Sequence, residues 1–69
     1  MKFLYIDPAK IAICLARAQM TLGEMCKRCG ITDGNMSAII KKGHASPRNV
    51  GRIAKALGVD VTEILKDEA

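Results

Sequence analysis

The sequence predicts an all-α fold: five short helices behind an extended N-terminal arm, in a single domain spanning residues 1–69. Three observations predict it. A capping residue stands at each of five helix starts, namely Asp7, Thr21, Thr32, Ser46 and Asp60, and a side-chain oxygen there satisfies a first-turn N–H. Gly30, Gly43 and Gly58 stand where three of the helices would stop, the position where a left-handed residue closes a helix. Between these signals apolar residues recur at helical spacing, and the aromatics reduce to Phe3 and Tyr5. The core must therefore be aliphatic, which suits packed helices.

Residues 1–6 are apolar and β-favouring except for Lys2, with Phe3 and Tyr5 alternating with Leu4 and Ile6. A lone strand is not stable by itself. It can pair with its copy in a second subunit or lie extended over the helices; an extended arm with dimer pairing is the expectation. Asp7 then caps a helix with Pro8 at its first position, where the missing N–H does no harm. This first helix spans about residues 8–19, with Ile11, Cys14, Leu15 and Ala18 on its apolar face. The second opens after Thr21, whose partner Glu24 three residues on completes a capping-box pattern, and it ends near Cys29. Gly30 makes the turn.

The third helix opens at Thr32 and ends near Lys42. Ser46-Pro47 repeats the cap-then-proline signal for a fourth helix over residues 47–57, burying Val50, Ile53, Ala54 and Leu57. Asp60 and Glu63 mark a short fifth helix, from 61 to about 66. Residues 21–42 thus read as two short helices joined by a tight turn, with Met25, Cys26, Cys29, Ile31, Met36, Ile39 and Ile40 fitting inward faces. That is the layout of a helix-turn-helix.

Charge supports a polyanionic partner. The net charge is +4, and residues 34–59 contain no acid while carrying Lys41, Lys42, Arg48, Arg52 and Lys55. Four acids and one lysine follow from Asp60 onward. A basic middle of this kind faces nucleic acid or is simply a solvated surface. No apolar run approaches the about 20 residues of a membrane span, and Asp7-Pro8 interrupts the start too early for a signal peptide. A cytoplasmic protein is expected. Three cysteines without an export signal argue against a disulfide framework. Cys26 and Cys29 form a C-x-x-C, but no second pair follows, only Cys14 and His44 remain as soft ligands, and both cysteines fall on the inward face. They read as core, with no metal or cofactor. No nucleophile–base pair or glycine-rich phosphate loop is present, so the chain is not read as an enzyme. In so small a chain there is also no room for a sensing domain that would take a small-molecule ligand.

The pattern resembles the phage repressor/Cro-like, or XRE-like, family. The resemblance rests on Met20-Thr21, Met25-Cys26, Gly30-Ile31-Thr32, Met36-Ser37, Ile39 and Gly43, then on Ile53-Ala54-Lys55-Ala56-Leu57-Gly58-Val59 and Ile64-Leu65. It covers nearly everything from Lys10 to Leu65 and leaves residues 1–6 outside. It implies a five-helix, lambda-repressor-like DNA-binding domain that acts as a homodimeric transcriptional regulator, of the repressor kind found in mobile elements. The third helix would enter the major groove of double-stranded DNA while the second crosses the backbone. Three positions depart from the usual pattern: Leu22 replaces a common Gln, and Asp33 and Gly34 stand at the front of the third helix.

On this basis Asp33, Gly34, Asn35, Ser37 and Ala38 are the candidate base readers. Asn35 can bind adenine in bidentate fashion, or merely support the Thr32 cap. Thr21, Leu22 and Gly23, with the free amides of a helix N-terminus, and Lys41, Lys42, His44 and Arg48 are the candidate phosphate contacts; Arg17 and Lys27 are weaker ones. The rival reading is a protein-interaction module, an antitoxin or adaptor on the same fold, signalled by an exposed apolar Leu22 or Ile40.

Overall fold

Capping sets every helix boundary in the computed structural model, which describes residues 2–67. Helix α1 (Pro8–Ala18) starts where the Asp7 carboxylate accepts the Ala9 N–H at 2.9 Å. Helix α2 (Leu22–Cys29) carries the full capping box: Glu24 N–H donates to the Thr21 hydroxyl at 3.1 Å, and Thr21 N–H donates to the Glu24 carboxylate at 3.2 Å. Helix α3 (Asp33–Lys42) is capped by Thr32, and α4 (Pro47–Leu57) by Ser46. Gly30 takes φ +73° after α2, a left-handed conformation that costs a residue with a Cβ about 1 kcal/mol or more. The turn between α2 and α3 depends on it.

The helical faces meet in one apolar cluster. Met25 from α2, Met36 from α3, Val50 and Ile53 from α4, and Ile64 beyond it are fully buried. Ile11 and Cys14 face inward from α1, where Leu15 is half-buried and Ala18 is exposed. Helix α2 packs chiefly on α4 and also on α3, so α4 backs the helix-turn-helix from the inside.

Two expectations need correction. The stretch after Asp60 is not a fifth α-helix. It is a single 3₁₀ turn, Val61–Glu63, capped by Asp60 through the Thr62 N–H. Beyond it the backbone is drawn into other bonds: Lys66 N–H donates to the Tyr5 carbonyl at 2.9 Å, and Ile64 accepts from Asp7 N–H at 2.9 Å. A continued helix would have turned the Lys66 N–H onto the preceding turn and the Ile64 carbonyl toward the following one.

The N-terminal segment is likewise not a free arm. Strand β1 (Leu4–Tyr5) pairs antiparallel with β2 (His44–Ala45), Leu4 opposite Ala45 and Tyr5 opposite His44. Ile6 N–H then donates to the Gly43 carbonyl at 2.9 Å, and Ile6 forms a bridge with Leu65. The Ile6 and Asp7 N–H groups and the Tyr5 carbonyl, which could have sought a second subunit, bond within the chain. The alternation seen in residues 1–6 puts Ile6 in the core, 1% exposed, and turns Phe3 and Tyr5 outward.

Ile6→Ala should therefore destabilise the fold by about 2–5 kcal/mol, the range for emptying a buried aliphatic site. Urea denaturation followed by circular dichroism measures this; a change near zero would mean that the N-terminal segment is not part of the core.

Candidate nucleic-acid interface

Helix α3 has one apolar edge and one broad exposed face. Met36 and Ile39 are buried and Ile40 is half-buried. Asp33, Gly34, Asn35, Ser37, Ala38, Lys41 and Lys42 are all exposed. This follows from the helical period, because the residues between each inward pair are carried to the opposite side. Every candidate base reader thus lies on one solvent-facing surface of α3.

The surface has two flanks. Asp33 borders a cleft of about 330 Å³ shared with Gly23, Cys26, Lys27 and Gly30, so the first reader sits beside the N-terminal turn of α2. Thr21, Leu22 and Gly23 are exposed there. The Leu22 and Gly23 N–H groups belong to the first turn, which has no intrahelical acceptors for them, and they can serve a phosphate oxygen. Burial pushes the Cys26 thiol pKa up, and the nearby Asp33 carboxylate adds to the shift. Cys26 stays a neutral thiol. Cys14, Cys26 and Cys29 are all buried and unpaired by disulfide, in keeping with their reading as core.

The other flank lies toward α4. Asn35, Ala38 and Lys42 share a cleft of about 300 Å³ with His44, Asn49 and Phe3. Asn35 N–H donates to the Thr32 hydroxyl at 3.2 Å, but that bond uses its backbone, and its side chain is left exposed. The structure places His44 differently from a simple loop residue: it is half-buried, its ring centroid 4.6 Å from that of Phe3 and 5.8 Å from that of Tyr5. Phe3 and Asn49 were not candidates. Phe3 could have been found only by knowing which segment the first six residues pair with.

Charge is sorted across the molecule. Among the described residues the ion pairs are Lys10–Asp67 at 2.6 Å and Arg17–Glu63 at 3.2 Å, both tying α1 to the C-terminal segment. Glu63 and Asp67 thus serve α1 cations, while Asp60 is taken up by Thr62. Among the described residues, Lys41, Lys42, Arg48, Arg52 and Lys55 have no carboxylate within 4.0 Å. Lys41 and Lys42 lie on α3 itself, whereas Arg52 and Lys55 border a cleft with Arg28 and Cys29 of α2; uncompensated cations of this kind favour a polyanion.

The sequence from residue 10 to residue 69 matches the model of the Cro/C1-type HTH DNA-binding domain. The chain belongs to that family. The Cro/C1-type match begins after β1, so that strand and Phe3 just before it lie outside the match. Two solved structures are similar, native PhpD with cadmium atoms and PhpD with cadmium complexed with hydroethylphosphonate. Each has a TM-score of 0.74 and 21% identity, over 96% of this chain. At that identity they share the fold alone, and this chain spans 14% of their length. No curated protein matches the sequence. Among the described residues, no helix of this Cro/C1-type domain is long and apolar enough to cross a membrane.

Two outcomes are expected. Glu24 is held below the usual carboxylate range by the Thr21 backbone N–H first and the Thr21 side chain second, and Asp60 by the Thr62 side chain first and its N–H second. A carboxylate depressed in the folded state adds stability above its unfolded pKa and loses it as pH falls through the folded value. Stability should therefore decline below about pH 4, and Thr21→Ala should flatten part of that decline while removing the cap. Denaturant midpoints across the acid range, for both proteins, check the sign. Gly34 is helical, and a Cβ there would meet nothing within 4 Å. Gly34→Ala should raise stability by about 0.5–1 kcal/mol; an unchanged or lowered melting midpoint would contradict the open space at this position.

Proposed function

We propose that this chain is a sequence-specific DNA-binding transcriptional regulator, acting as a repressor, with α3 laid in the major groove of double-stranded DNA. The observation that carries the proposal is the α3 surface. Asp33, Gly34, Asn35, Ser37 and Ala38 are exposed together, flanked by Lys41 and Lys42 on the same helix and by the N-terminal turn of α2. A helix of this width fits the major groove, where base edges carry a distinct donor and acceptor pattern for each pair.

Roles then divide by chemistry. Asn35 reads adenine through its amide, and Ser37 can bond a base edge of either kind. Asp33 accepts from cytosine N4. Gly34 has no side chain and lets the helix backbone approach the bases. Thr21, Leu22 and Gly23 receive one phosphate at the α2 N-terminus, and Lys41, Lys42 and Arg48 hold others. His44 contributes as a ring held beside this track. One recognition helix offers few specific contacts, so the working unit is a homodimer on a two-fold operator.

A second reading, a protein-interaction module, draws on Ile13 at 53% and Leu22 at 39% exposure. Ile40 does not support it, because it is half-buried.

Binding to a duplex selected from random sequence separates the two readings. The affinity should fall steeply with salt, with a slope of about −0.9 for each phosphate contact. Lys41→Ala should weaken all sequences alike and reduce that slope by about 1. Asn35→Ala should cost about 1–3 kcal/mol at one base step and leave other steps unchanged. Affinity that is weak and flat with salt would favour the protein-interaction reading.

A further inference from the structure

The chain entering β1 adds an apolar side chain to the proposed reading surface. Phe3 is 49% exposed, yet it is not adrift. The pairing of Tyr5 with His44 sets the register of the strand beside the chain that leaves α3. Phe3 then lies 4.6 Å, ring centre to ring centre, from His44, whose other neighbour is Tyr5 at 5.8 Å. A ring held in this way loses little freedom on binding. It forms one wall of the cleft of about 300 Å³ that Asn35, Ala38, Lys42, His44 and Asn49 also line. No acidic residue lines that cleft. Two of these neighbours, Asn35 and Ala38, belong to the proposed base-reading set, and Lys42 to the phosphate set.

Resting on the reading that α3 lies in the major groove, we propose that Phe3 determines specificity by contacting the 5-methyl group of a thymine next to the base that Asn35 reads. In that groove the thymine methyl is the apolar feature a base pair presents. The Phe3 ring and the Ala38 methyl group are apolar surfaces of one cleft, and Asn35 and Lys42 are its polar edge. A thymine methyl placed between them leaves water on contact with both surfaces. Phe3 and β1 precede the residues of the family match.

The test replaces thymine by deoxyuracil, which removes the methyl group and leaves base pairing intact. A duplex selected by the full chain is substituted one thymine at a time. The native chain should prefer thymine at one position by about fourfold, the worth of one buried methyl. Phe3→Ala should bring that ratio close to one there and leave the ratios at other positions unchanged. Phe3→Leu, which stays apolar, should retain part of the preference. Phe3→Gln, of similar reach but polar, should lose it and serves as the readout if Phe3→Ala melts early by circular dichroism. An unchanged ratio in Phe3→Ala or Phe3→Gln overturns the inference. So does an equal loss on every duplex, which would put Phe3 against the backbone. A native chain that binds no duplex overturns the DNA reading itself, and the inference with it.

Discussion

The backbone of residues 4–7 binds together parts of the chain that are far apart in sequence. On one side it pairs with His44 and Ala45 and donates from Ile6 to Gly43. On the other it donates from Asp7 to Ile64 and accepts from Lys66. The end of α3, the start of α1 and the segment after α4 are thus held in one hydrogen-bonded strip, with Ile6 buried beneath it. Backbone groups in this position must be paired or hydrated, and here each bond also fixes where a neighbouring element stops. The strip explains why the last turn is 3₁₀ and brief, and why His44 is packed against aromatic rings.

The helix-turn-helix depends on a different constraint, the rigidity of the α2–α3 turn. Gly30 reverses the chain in the left-handed region, and Thr32 caps α3 at once. Met25 and Met36 are then both fully buried in the one core that α4 also lines. With both inward faces used, the outward face of α3 is presented at a fixed angle beside the α2 N-terminus. Orientation of this kind, more than any single contact, turns a row of small polar residues into a surface that can meet a groove.

Charge placement completes the arrangement. The acidic C-terminal segment is engaged with Lys10 and Arg17 of α1. Had those carboxylates folded over α3, they would have neutralised Lys41 and Lys42. Exposed ion pairs such as these contribute little to stability, and their main consequence is where they leave the remaining cations.

The five caps and the three closing glycines were legible in the sequence because each acts on backbone groups within a few residues of itself. The same is true of the inward faces, since a helical period needs no distant partner to be read, and the exposed set on α3 followed from it. Two things were not legible. Whether Asp60 would open a helix or a single turn depended on competition from the Tyr5 carbonyl, some sixty residues earlier in the chain. Where residues 1–6 would lie depended on which edge offered them hydrogen bonds, and alternation of Phe3, Leu4, Tyr5 and Ile6 states a preference for a strand without naming its partner. Local chemistry therefore determined the elements and their faces, while the pairing of the N-terminal strand, and with it the place of Phe3 beside Asn35 and Ala38, was decided only when distant segments met.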